Sequence, residues 1–465
     1  RFWASQLGDT LDNLIADPFG RMRAGFSAWS SEQDDIQYSL YQFLQLCEFV
    51  GAEPWVVVPS TFSTTDAANL IEYLAGSAST VYGGKRAASG HPNPWTQSFG
   101  KIHLEFGNEA WNSAFAGGSI QSPAAYGSQA QTIFAAMRGD ASYVASAFDL
   151  VLGGWAAGAW WSGQELNYCN NNDSLAIAPY MMNNIDSYAT NEALFGSTFA
   201  EAEGFLLPNA VTEGAGGGWV YQNQQAVQGS AHPVPLALYE MNLGVMGGSI
   251  SQAALNGYAS SMGGGLAVVD AMLQQMRAGI LTQNLFALTQ YDFQRSDGSL
   301  AMLWGAVVDM GGATNRVRPQ YLALELANRA ISNGATMLQT VHSGADPTWN
   351  QALVNQVQLK NAHYLESFAF QSGSRLSLIV FNLERSAALP VTFSGVNAPE
   401  GAAQIEQLTS AHITDTNENS KQVTITSSSV HLIPGMILSL PPFSMTLLTW
   451  RKHASSEAAA SAKRQ

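Results

Sequence analysis

Residues 102–111 read Ile-His-Leu-Glu-Phe-Gly-Asn-Glu-Ala-Trp, and this stretch limits the folds open to the chain more than any other. A run with strand propensity passes into Gly107 and ends in two polar side chains, Asn108 and Glu109, where the strand should stop. A buried carboxylate at a strand end is costly unless that end opens into a cleft. In a parallel α/β barrel the carboxyl ends of the strands form such a cleft, and side chains from different strands converge there. Much later in the chain, Pro235, Leu236, Ala237, Leu238, Tyr239 and Glu240 repeat the pattern of a short apolar run ending in a glutamate. One strand-end Glu alone is most often a structural ion-pair partner. Two in matching contexts meet the minimum for retaining glycoside hydrolysis, in which one carboxyl group protonates the leaving oxygen and a second, about 5–5.5 Å away, attacks the anomeric carbon.

The surrounding pattern alternates strands with helices. Leu40, Phe43, Leu44, Leu46, Cys47 and Val50 follow a helical period that Gly51 closes. A strand is expected over 55–59, and Ser63 or Thr64 caps a helix over 66–74. A helix over 122–137, a strand over 149–155, an aromatic-rich loop over 160–172 and a strand over 174–180 follow. After the Glu240 strand, the turn Gly263-Gly264-Gly265 opens a helix over 266–278, and a strand is expected over 284–291. Beyond residue 330, short alternating runs such as 376–381 and 445–450 imply a β-sandwich. The chain opens with what reads as a strand end over 1–7 and a polar loop over 8–23, and it closes with an unanchored tail over 454–465.

The Asn-Glu pair after a strand, with a second strand-end Glu downstream, resembles the clan A glycoside hydrolases. Residues 46–59 (LCEFVGAEPWVVVP), 67–74 (AANLIEYL) and 318–325 (RPQYLALE) resemble the family 51 α-L-arabinofuranosidases. The resemblance implies a (β/α)8 barrel with Glu109 as acid/base after strand 4 and Glu240 as nucleophile after strand 7. It further implies that Asn108 hydrogen-bonds the sugar 2-hydroxyl and that Tyr180 touches the nucleophile. Where the family typically has a His two positions before that Tyr, this chain has Ala178, a departure at the sugar subsite.

Only two strands precede the one that carries Glu109, whereas the resemblance requires three. A closed barrel does not tolerate a gap, so the first strand is expected from a separate N-terminal chain or an upstream region, with an unusual first loop as the alternative. The expected organisation is a barrel lacking strand 1 over 1–325, a C-terminal β-sandwich over 326–453 and the tail.

The chain has 465 residues, enough for a barrel of about 250 residues and one further domain. A formal charge of −15 argues against nucleic acid or an anionic membrane as partner. No run of 18 or more apolar residues is present, so no membrane span is expected. Charged residues are 12% of the chain against roughly 25% in an average soluble domain, which suits an extracellular or periplasmic protein. Cys47 and Cys169 make neither a disulfide framework nor a zinc site and are read as free, with one bridge as the alternative. The eight His are scattered without metal-ligand spacing, so neither metal nor cofactor is expected. Twelve Trp are many, and Trp111, Trp160, Trp161, Trp219 and Trp304 fall at strand ends or βα loops, where indole faces suit a carbohydrate substrate. The substrate class therefore divides between arabinofuranosides, favoured by resemblance, and the xylan or glucan of an endo-β-glycanase. A non-catalytic carbohydrate-binding or structural surface protein is the alternative of another class, and a homo-oligomer remains open.

Overall fold

The computed structural model describes residues 10–17, 25–26, 33–34, 38–115, 118–186, 188, 190–212, 215–244, 247–294, 298, 300–309, 314–332, 334–354 and 357–452. The strand end expected over 1–7, most of the loop over 8–23 and the tail over 454–465 lie outside them. The described residues divide into two compact units: one from 1–178, 219–239 and 282–284, the other from 179–218, 240–281 and 285–465.

The first unit holds strands β1 (Trp55–Val58), β2 (Ile102–Phe106), β3 (Phe148–Gly153) and β4 (Ser174–Ile177) and most of β5 (Leu236–Met241) and β6 (Gln283–Leu285), whose residues 240–241 and 285 are assigned to the second. They form one sheet in the order β6-β5-β4-β3-β2-β1, and the pairings from β1 through β5 are parallel. Every residue of β1, β2, β4 and β5 is buried, so both faces of these strands are covered. That is why their sequences read as near-continuous apolar runs instead of alternating. Helix α1 (Leu40–Val50) leads into β1; parallel neighbours need crossovers, and α2 (Thr64–Ala75) lies between β1 and β2 and α3 (Pro123–Gly139) between β2 and β3.

The ends of these helices follow from local chemistry. Ser39 and Gln42 form a capping box on α1, and Gly51, with φ 70°, ends it in the left-handed region. Ser63, rather than Thr64, caps α2, with Asp66 completing the box. Ser122 caps α3 with Pro123 at the first helical position. The expected loop over 160–172 opens instead with a helix, α4 (Ala159–Glu165), because Trp161, Ser162 and Glu165 bury at helical spacing. The strand expected over 284–291 shortens to β6, with a separate strand at Tyr291–Gln294. Cys47 and Cys169 are free thiols, both buried.

The second unit contains helices α5 (Asn191–Gly204), α6 (Met262–Arg277) and α7 (Pro319–Ile331). Its strands include β7 (Thr336–Leu338), β8 (Val357–His363), β9 (Leu365–Ser372), β10 (Arg375–Asn382), β11 (Gly401–Thr409), β12 (Thr424–Leu432) and β13 (Ser444–Arg451). All but β8 form an antiparallel sheet in the order β7-β9-β10-β13-β11-β12. One face carries Leu376, Leu378, Val380, Leu448 and Trp450, packed with Leu440 and Val391 from the short strand pair Leu389–Val391 and Leu438–Leu440. The amide of Asn382 pins that pair by donating to the carbonyls of Leu440 and Pro441.

The glycines 263–265 do not form a turn before the helix; they lie inside the first turns of α6, capped by Ser261. A Cβ on Gly263 would stand 2.4 Å from the Phe195 ring, and one on Gly265 would stand 2.6 Å from the Gln320 backbone nitrogen. The triplet therefore lets α6 approach α5 and α7 more closely than side chains allow. Gly265→Ala meets backbone rather than a movable side chain and is expected to destabilise the protein by about 1–3 kcal/mol, read as a lower denaturant midpoint with an unchanged slope.

Candidate active site

Strand β2 carries the first half of the site. Glu105, within the strand, is fully buried, and its Oε2 accepts a 2.7 Å hydrogen bond from the Trp55 indole. Where β2 ends, the Gly107 amide donates to the Val58 carbonyl at 2.8 Å, and Gly107 takes φ 72°, turning the chain out of the ladder. The buried Tyr126 hydroxyl donates to the Phe106 carbonyl at 2.6 Å and accepts from the Gly153 amide at 2.8 Å. It thereby supplies at the ends of β2 and β3 the polar pairing that the ladder no longer provides.

Asn108 is buried and Glu109 is half-buried. Glu109 has φ 44°, a left-handed conformation that a residue with a Cβ rarely adopts. A tight turn holds it, with the Asn112 amide donating to the Glu109 carbonyl at 2.7 Å. The Asn112 side chain donates to Glu109 Oε2 at 3.1 Å, and the Tyr239 hydroxyl stands 3.5 Å from Glu109 Oε1. Tyr239 is buried, as strand alternation suggests for a residue next to Glu240, yet its hydroxyl reaches the carboxylate of another strand.

Beside this turn lies a row of tryptophans. Trp111 stacks on Trp155 with centroids 5.1 Å apart, Trp160 meets Trp155 edge-on at 6.5 Å, and Trp161 meets Trp160 edge-on at 5.8 Å. Trp160 is 56% exposed while Trp161 is 3% exposed, so α4 turns one indole outward and one inward. Trp155 belongs to this row although its sequence context did not mark it; its place just after the Gly153-Gly154 strand end is the signal that could have found it. Gly158 is required beneath it, since a Cβ there would lie 2.2 Å from the Trp155 ring. Trp219 is buried at the start of its own helix.

In the second unit, Glu240 is 5% exposed and its Oε2 accepts a 2.6 Å hydrogen bond from the Tyr180 hydroxyl. Asn242 fixes the chain just beyond, its amide donating to the carbonyls of Phe286 and, at 3.0 Å, Trp304. Trp304 is 3% exposed, and the Arg318 guanidinium lies 5.0 Å from its ring centroid, itself paired with Glu418 at 2.6 Å. Ala178 occupies a buried position. The structure thus brings Glu109 to Tyr239, Tyr180 to Glu240, and Trp111, Trp160 and Trp161 into one row, while Trp304 is enclosed by protein.

The protein family described as the α-L-arabinofuranosidase 1 domain matches residues 3–139. No curated protein matches the chain. Among solved structures, an α-L-arabinofuranosidase from Thermotoga maritima in complex with arabinose is 18% identical, with a TM-score of 0.69 over 96% of this chain and 86% of that one. A family 51 α-L-arabinofuranosidase from Bifidobacterium longum is 14% identical, with a TM-score of 0.68 over 97% and 85%. A xyloglucanase of glycoside hydrolase family 44 from Paenibacillus polymyxa is 12% identical, with a TM-score of 0.57 over 96% and 92%. The fold is the one these glycoside hydrolases share. The matched family model and the first two of these structures are α-L-arabinofuranosidases, in agreement with the resemblance carried by residues 46–59, 67–74 and 318–325.

Glu165, at the end of α4, is a buried carboxyl that no sequence pattern singles out. Burial pushes its pKa well above the usual 4.5, and the nearby Trp161 indole offsets only part of that. The folded protein therefore holds a proton that the unfolded chain sheds above about pH 4.5, so this group makes stability fall as pH rises. Glu165→Gln is expected to flatten that slope, raising Tm relative to the parent protein at pH 8 and leaving it nearly unchanged at pH 4, as read by calorimetry. Trp160→Ala is expected to leave Tm unchanged while raising KM for an oligosaccharide several-fold, which steady-state kinetics would check.

Proposed function

We propose that the protein is a retaining glycoside hydrolase of the α-L-arabinofuranosidase type, whose parallel sheet belongs to a (β/α)8 barrel, acting outside the cytoplasm on plant or microbial polysaccharide. Glu240 carries this conclusion: a carboxylate 5% exposed at the end of a parallel strand, its Oε2 accepting from the Tyr180 hydroxyl at 2.6 Å. A group so placed is oriented for attack and has little water to compete with substrate.

The proposed reaction is double displacement. Protonated Glu109 gives its proton to the glycosidic oxygen as the C–O bond breaks, and Glu240 attacks the anomeric carbon to form a glycosyl ester. Glu109, now a carboxylate, removes a proton from water as that water attacks the same carbon and releases Glu240, which restores both groups. Asn112 and Tyr239 orient Glu109 through both its oxygens. The Tyr180 hydroxyl stabilises the ionised form of Glu240 before attack. Asn108 is assigned to the sugar 2-hydroxyl, and Trp160, with Trp111 behind it in the same row, to a sugar face.

An endo-β-glycanase is the second reading, supported by the exposed indole of Trp160 and by the likeness to a family 44 xyloglucanase. Cyclophellitol-type probes of arabino, gluco and xylo configuration separate the possibilities when intact mass and peptide mapping follow. A single adduct on Glu240 from the arabino probe is expected. Labelling by the gluco or xylo probe alone supports the endo-glycanase, and no adduct on folded protein favours a non-catalytic binding protein.

Glu109→Ala is expected to lower kcat/KM by about 10²–10⁴-fold, most for poor leaving groups. Tyr180→Phe removes one hydrogen bond to a charged group, about 1.5–3 kcal/mol, so a roughly 10- to 150-fold loss is expected in kcat.

A further inference from the structure

A cavity of about 460 Å³ in the second unit is lined by charged and imidazole groups, three of which come from different elements and meet at one point. Glu203 comes from the last turn of α5, His363 from the end of β8 and Glu366 from β9, so no sequence spacing announces them. One nitrogen of His363 and one oxygen from each glutamate lie within 4.8 Å of one another. The His363 ring already sits at 2.8 Å from Glu203 Oε1, and its backbone amide donates to the other oxygen at 3.0 Å. Arg277 takes Glu366 Oε2 at 2.9 Å, which leaves Oε1 for an ion.

The charge balance points the same way. Asp270, one turn before the cavity-lining Gln274 on α6, is fully buried, its Oδ1 has no hydrogen-bond donor among the described residues, and burial first, then the neighbouring Glu366, pushes its pKa well above the usual carboxylate value. Asp346, on the cavity wall, has its Oδ1 3.4 Å from the His342 Nδ1. Among the described residues lining the cavity, Glu203, Asp346 and Glu366 thus share one arginine, Arg277, with the imidazoles of His342 and His363 as the other basic groups, a setting that accommodates a bound cation.

We propose that Glu203, His363 and Glu366 bind a divalent transition-metal ion, of which Zn²⁺ best suits one imidazole and two carboxylates. Ligand atoms of a four- to six-coordinate ion at about 2.0–2.2 Å stand about 3–3.5 Å apart, a spacing that small rotamer adjustments of the three side chains reach. An imidazole nitrogen disfavours Mg²⁺ and Ca²⁺, which take oxygen ligands. The ion would tie α5 to β8 and β9 and act as a structural staple, independently of any glycosidase activity.

The test uses the full-length protein, treated with chelator and then given ZnCl₂, CoCl₂ or CaCl₂. The proposal expects one equivalent of Zn²⁺ retained through gel filtration, a Tm raised by roughly 3–6 °C at a hundredfold excess over Kd, and visible Co²⁺ absorption. His363→Gln and Glu366→Gln should each abolish all three effects, and CaCl₂ should produce none. Because the second substitution removes only a charge, it stands in if the first fails to fold. Absence of stoichiometric Zn²⁺, or effects that persist in both variants, would overturn the assignment and leave the cluster an ion-pair network.

Discussion

The hydroxyl of Tyr126 stands between two parallel strands at the point where they stop pairing, donating to Phe106 and accepting from Gly153. A sheet sealed on both faces has no water to satisfy the backbone groups that such an ending exposes. With those groups bound to one phenol, the chain after Phe106 can leave the ladder through Gly107 and take up the strained turn at Glu109. Without that phenol, a strand end rich in polar side chains would leave its last carbonyl and amide unpaired in the core.

The same economy of partners explains the two glutamates of β2. Glu105 lies in the sealed part of the strand and has a Trp55 indole aimed at one oxygen. Glu109 lies past the end and meets side-chain donors from its own turn and from β5. Four residues apart, one carboxyl is fixed within protein and the other is partly open. The difference comes from where the ladder stops.

Much of this is legible in the amino-acid sequence. Glu109 and Glu240 stand out because a carboxylate breaks an apolar run, and Gly51 and Ser63 mark helix ends through their own local chemistry. What stays hidden depends on neighbours distant in sequence. The glycines 263–265 read as a turn because their reason for being glycine is Phe195 and Gln320. Residues 160–172 read as a loop because α4 is only seven residues long, too short for its period to register. Trp304 reads as a candidate platform, and only the packing of Arg318 against it reveals an enclosed ring. The cluster of Glu203, His363 and Glu366 lies beyond spacing rules altogether, since α5 and β8 are far apart in the chain.

The glycine triplet at the head of α6 also bears on the order in which the protein folds. Relative to alanine, three glycines forgo roughly 2–3 kcal/mol of helix propensity, so the first turns of α6 are poor nuclei on their own. The stretch from Leu266 onward, rich in Leu, Val, Met and Gln, nucleates more readily. Growth then runs backwards toward Ser261 and is completed only when Phe195 and Gln320 are in place to meet the bare backbone. This close junction of α6 with α5 and α7 is on this account among the last in the second unit to form.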